Sequence, residues 1–169
     1  MADVDFFLKV KDIKGESKDS KFKDEIDLET WRWSQTNEVA RVGTGLGAGK
    51  VEMGRLEVTF VANKASPTLL LRCAMGENIP EIEVICRRAG KEQHEYLKVK
   101  ISQCFVTKYV LEGDPRDPNK SGGKEQSLLP RNRMEFAFGK IEFEVSPLDV
   151  DKKGSAVKVG WNVLESKKA

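Results

Sequence analysis

Apolar and polar residues alternate with a period of two along most of the chain, the mark of strands with one face in a core and one in water. Phe6, Leu8 and Val10 share one face, against Lys9 and Lys11 on the other. Leu56, Val58 and Phe60 repeat the pattern, and so do Ile82, Val84 and Cys86. After a turn at Ala89-Gly90-Lys91-Glu92, Leu97, Val99 and Ile101 point inward with Lys98 and Lys100 outward, which predicts a hairpin with one wet face. Val157, Val159, Trp161 and Val163 predict a last strand before a frayed lysine tail. The polar runs Gly15 to Lys23, Gly113 to Gln126 and Ser146 to Ser155 are predicted loops.

Twice the alternation slips by one residue. Ile26 and Leu28 are in phase with each other, but Trp31 and Trp33 fall on the opposite parity, so Glu29-Thr30 must hold a bulge or a bend that carries the strand between sheets. Met134, Phe136 and Phe138 lie on even positions and Ile141, Phe143 and Val145 on odd ones, with Gly139 at the change. Glycine at such a point suits a bulge or a tight barrel corner. Sheets that switch face in this way are curling towards closure.

One segment has helical punctuation. In Asn63 to Pro80, Ser66 can cap, Pro67 suits the first turn, and Gly76 can adopt the left-handed conformation that stops a helix, which predicts a helix over 67–75. Leu69, Leu70, Leu71, Cys73, Ala74 and Met75 sweep about 240° of it at roughly 100° per residue, leaving Thr68 and Arg72 for water. Packing on one sheet needs an apolar stripe of only about 100°. The surplus predicts a second surface, a barrel mouth or another subunit, and Leu69, Leu71 and Met75 are the candidate interface residues. The expected fold is mainly β, a small antiparallel barrel or tight two-sheet sandwich flanked by one short helix, with residues 1–169 forming a single domain.

Composition narrows the function. Lys plus Arg number 29 and Asp plus Glu 27, a net charge of +2, so there is no overall nucleic-acid footprint. No run is long enough to insert in a membrane, and MADVDFFLKVKD lacks the basic and apolar regions of a secretory leader, which points to folding in the cytoplasm. Cys73, Cys86 and Cys104 have neither zinc nor redox spacing and read as reduced core thiols. His94, beside a hairpin turn among Glu92, Gln93 and Glu95, reads as a surface residue. With no nucleophile elbow, metal signature or clustered acid–base pair, an enzyme is not expected, nor any metal or cofactor.

RVGTGLGAGKV places glycine at 43, 45, 47 and 49. A phosphate loop would need Gly in place of Thr44 and Ser or Thr in place of Val51, and a helix to follow; a strand follows instead. A long mobile hairpin connection is the simpler reading.

Joined in order, FLKVKDIKGESKD, EIDLETWRW, the glycine hairpin before VTF, SPTLLLRCAMG, EYLKVKISQ and VKVGWNV make nearly the whole chain resemble the Hcp family, tail-tube proteins of the bacterial type VI secretion system. The resemblance implies a curled barrel that assembles as a hexameric ring. Rings would stack into a tube inside a contractile sheath and baseplate, tipped by the VgrG spike, and be expelled without a cleaved signal peptide, carrying effector proteins in the lumen. It also makes Gly43, Thr44, Gly45, Leu46, Gly47, Ala48 and Gly49 a ring-stacking loop and aims Arg32, between the tryptophans, at lumenal cargo. Family members often have a small residue there. A ring of arginines would favour acidic cargo; the plainer reading of Arg32 is a solvated residue paired with a cross-strand carboxylate. The alternative for the whole chain is a monomeric barrel binding a small ligand, although inward faces full of Phe, Leu, Val and Trp leave little room.

Overall fold

The architecture hangs on one long strand, β10 (His94–Glu112), which belongs to both sheets. A computed structural model describes residues 4–88, 93–113, 129–147 and 155–169. The first half of β10 pairs antiparallel with β9 (Ile79–Arg88) on one side and β12 (Lys140–Val145) on the other. Its second half pairs with β11 (Arg131–Ala137). The expected β9–β10 hairpin therefore forms, while its turn at 89–92 lies outside the described residues, as do most of the loops expected at Gly113 to Gln126 and Ser146 to Ser155.

The phase slip at Gly139 is a shared crease rather than a bulge. Pairing keeps one register through it, from Ser102 opposite Lys140 to Phe105 opposite Ala137, so no residue is inserted. Both strands change parity together: Val99 and Ile101 are buried before the crease, with Ile101 opposite Ile141, and Cys104 and Val106 after it, with Val106 opposite Phe136. Gln103 takes up its share of the bend with a left-handed φ of 54°. The Gly139 N–H donates to the Ser102 carbonyl at 3.0 Å, and a Cβ on Gly139 would crowd the Gln103 side chain. A larger residue there would have to push the Gln103 amide aside.

The slip at Glu29 is the other predicted device, a strand handed between sheets. β2 (Ile26–Leu28) pairs with β1 (Val4–Val10), whereas β3 (Thr30–Arg32) pairs with β8 (Leu56–Val61). At the break, the Glu29 N–H donates to the Thr59 carbonyl at 2.9 Å. With β1 on β9 and β8 on β11, the pairings return to their start and close a barrel. Leu8, Ile26, Leu56, Phe60, Ile82, Ile101 and Phe136 fill it, all essentially without exposure. Phe6 packs edge-on to Trp31, and the Trp33 indole N–H donates to the Gly54 carbonyl at 3.1 Å.

Two terminal expectations need correction. The final strand β13 (Val157–Asn162) stops before Val163, which sits in a turn. The lysine tail is not frayed: Lys167–Lys168 form β14, which returns along Trp161 and Asn162, and the Ala169 N–H donates to the Gly160 carbonyl at 3.0 Å. Ser166, at φ 51°, makes that return possible.

The Gly15 to Lys23 run is a loop, as expected, but a pinned one. Phe22 stacks on Phe7 at 4.5 Å against Ile85, a small second core outside the barrel. Arg87 is buried above it, 4.8 Å from the Phe7 ring. Its Nη1 and Nη2 donate to Asp19 at 2.9 and 2.6 Å, and Nη2 also to Asp5 at 2.8 Å. Asp19 also accepts from the Lys21 and Phe22 N–H groups. The Arg87 guanidinium holds its carboxyl down to about 2. A buried charge tolerated in this way needs every partner it has.

Candidate functional site

The helix α1 runs Ser66–Met75, one residue longer than expected, and Ser66 is not its cap. The Ser66 hydroxyl instead donates to buried Asn132 Oδ1 at 2.6 Å and accepts from the Asn63 N–H at 3.0 Å, while Asn63 Oδ1 accepts from the Ala65 N–H. A serine that close to the sheet serves to dock the helix. Pro67 lies in the first turn as predicted. Gly76 at φ 62° ends the helix, with its N–H on the Cys73 carbonyl and the Glu77 N–H on the Arg72 carbonyl.

The wide apolar arc divides cleanly between core and solvent. Leu69 is wholly buried in the barrel core, and Cys73 is half-buried beside it. Leu70, Leu71 and Met75 are 48%, 53% and 59% exposed. Of the three candidate interface residues, Leu71 and Met75 thus face out, and Leu69 does not, because its direction is the one that touches the sheet. Leu70 belongs with the outward pair, one helical step away.

The glycine stretch is built rather than loose. β4 (Gln35–Asn37) pairs with β7 (Val51–Met53), and β5 (Ala40–Val42) with β6 (Gly45–Gly47), making an arm turned at Gly43, whose φ is 62°. The register slips between the ladders, from Asn37 opposite Val51 to Ala40 opposite Gly47, so the second strand carries one extra residue around Ala48-Gly49. The Glu38 carbonyl lies where a Cβ on Gly49 would go. Val39, Val42 and Leu46 are exposed along the arm, Leu46 at 78%. At its base, Val51 and Met53 line an open groove with Trp33, Phe143, Val159 and Trp161.

Arg32 is exposed at the edge of the β3–β8–β11–β10 sheet, as the alternation predicted, with Glu57 directly opposite in register. That carboxylate, Leu70, Val39 and Val42 escaped the sequence reading. So did the Arg87–Asp19 pair: Arg87 sits on the strand parity expected to face water, and only its neighbour Ile85 hinted that this face was covered.

Chemistry is sparse here. Cys86 and Cys104 are buried, and burial pushes their thiols up to about 11 and about 12. His94 is exposed, with Nε2 3.2 Å from the Pro147 carbonyl. Among the described residues no His, Cys, Asp and Glu side chains gather as a metal site, and no helix is long and apolar enough to cross a membrane.

A filled barrel, an outward apolar helix face and a projecting arm define a class: a β-barrel protein that carries apolar surface outside its own core. The chain matches the family described as type VI secretion system effector, Hcp, over residues 7–145. It is 33% identical to protein hcp1 of Pseudomonas aeruginosa over 168 residues, 98% of this chain and 99% of that one. In three dimensions it resembles a solved type six secretion system protein with a TM-score of 0.84 at 27% identity, covering 98% and 99% of the two chains. Hcp1 of Salmonella typhimurium superposes with a TM-score of 0.76 at 26% identity over the same shares. The chain belongs to the Hcp family of type VI secretion proteins.

Proposed function

We propose that this chain, acting as one domain over residues 1–169, is the tube-building subunit of a type VI secretion apparatus. Six copies close into a ring, and rings stack into the inner tube that the contractile sheath drives out behind a VgrG spike. The observation that carries the reading is the exposed apolar face of α1 on a molecule whose own core is complete. An apolar patch that meets a different patch on the next copy is a heterologous contact, and such contacts close into rings when the rotation allows.

In this account the arm from Gly43 to Gly49 bridges to the next ring, Arg32 faces the lumen and cargo, and the protein stays cytoplasmic until firing, when it leaves without signal-peptide cleavage. No enzymatic step is needed. Leu8, Phe60 and Phe136 fill the barrel interior that the alternative, a small-ligand carrier, would need as its pocket. Removing residues 40–47 from the arm and examining the purified protein by negative-stain electron microscopy tests the assignment. Rings that persist while tubes disappear are expected; tubes of normal length from the shortened chain would overturn the stacking role of the arm, and an intact chain that forms no rings would overturn the tube-building assignment.

A further inference from the structure

The outward face of the sheet that holds Arg32 is organised in charged rows that no single residue reveals. Register places Arg32, Glu57, Glu135 and Lys108 side by side across β3, β8, β11 and β10. Signs run plus, minus, minus, plus. Two carboxylates directly opposite one another repel, and a cation on the other side of each offsets that repulsion. Glu135 has Lys108 at 3.5 Å and Arg55 at 4.0 Å. Glu57 has Arg32. The neighbouring rows continue the mixture, with Arg133 on Glu112 at 3.1 Å and Arg131 on Glu29 at 2.8 Å. Among the described residues, Arg32, Arg55, Lys108, Arg131 and Arg133 therefore stand with Glu29, Glu57, Glu112 and Glu135, balanced to within one charge.

We propose that this face takes a polypeptide surface of mixed charge rather than an acidic one, and that Glu57 is the residue that sets the preference by offsetting Arg32. The inference rests on the cargo role proposed above and changes the chemistry expected of it. Arg32 alone would attract anions; with Glu57 abreast, its field beyond the first few ångströms is that of a dipole, which falls off faster and is screened sooner. A partner presenting both signs can satisfy both ends. An acidic one must approach Glu57 and Glu135 as well, and like-charge juxtaposition is costly.

Fluorescence anisotropy on the full chain at low salt tests this with two labelled probes, an oligo-glutamate peptide and a peptide of alternating glutamate and lysine. Wild type should prefer the alternating peptide. Glu57→Gln should tighten oligo-glutamate by about tenfold and reverse the preference, in a salt-sensitive way, because the Arg32 guanidinium then has no opposing charge abreast of it. Glu57→Gln with Arg32→Gln should lose that gain, which a change of packing alone would not produce. Wild-type preference for oligo-glutamate, an unchanged preference in Glu57→Gln, or no binding of either peptide would overturn the proposal. Solution mass recorded on the same samples keeps the two readings apart: a monomer that still shows the reversal contradicts the ring and upholds Glu57, whereas an intact ring without it does the opposite.

Discussion

Leu69 and Leu70 are neighbours in sequence and chemically the same, yet one has no exposure and the other is 48% exposed. The same contrast separates the whole barrel interior from the outer helix face and the arm. Inside, every large apolar side chain has partners from several strands, and the alternation that put it there is the fold. Outside, Leu70, Leu71, Met75, Val42 and Leu46 keep about half or more of their surface in water. Exposed apolar residues of this kind are the ones on which the proposed assembly rests.

Substitutions should separate the two regions sharply. Phe60→Ala or Phe136→Ala removes a ring from a filled core and should cost about 3–5 kcal/mol, with Leu69→Ala at about 2–5 kcal/mol, read from denaturant midpoints at unchanged slope. Leu71→Ala, two positions along the same helix, should stay within about 0.5 kcal/mol in the dissociated chain. Equal losses at Leu69 and Leu71 would break the comparison.

Arg87→Ala removes the charged hydrogen bonds to Asp5 and Asp19, and since both carboxylates keep access to water the loss should be about 1–3 kcal/mol. Because the folded carboxyl of Asp19 lies at about 2, below its ordinary value of 3.8, its contribution is whole above about pH 4 and is lost as pH falls towards 2. Acid titration of stability should show that loss in the native chain and not in Arg87→Ala. A smaller effect sharpens the picture at the helix: Cys73, half-buried, should alkylate first, while Cys86 and Cys104, raised by burial, should stay unmodified in native buffer. Mass spectrometry of the alkylated native protein reads this directly.

The strands, both phase changes and the helix were legible from periodicity because each buries one face, and burial is what periodicity records. Gly76 and Pro67 were readable as well, since their backbone limits are local. Partners in space were not. Ser66 looked like a cap but is held by Asn132, 66 residues away, and Arg87 looked like a wet-face residue but meets Asp19 across a loop with no period at all. The arm's ladder was hidden because its strands are three residues long, and glycine carries no facial preference. Arg32 could be placed on its face, whereas Glu57 beside it depended on register between strands, which alternation alone does not set.

The most direct test of the claim that the outer apolar face exists for a second copy is the solution mass of the intact chain beside Leu71→Asp/Met75→Asp, measured by light scattering at matched concentration. Wild type should run at about 114 kDa, six chains of 19.0 kDa, and the double variant at the mass of one folded chain, because a charge buried unpaired at a contact is not tolerated. A wild-type protein that stays at 19.0 kDa at high concentration, or a double variant that still forms the full ring, would contradict the account.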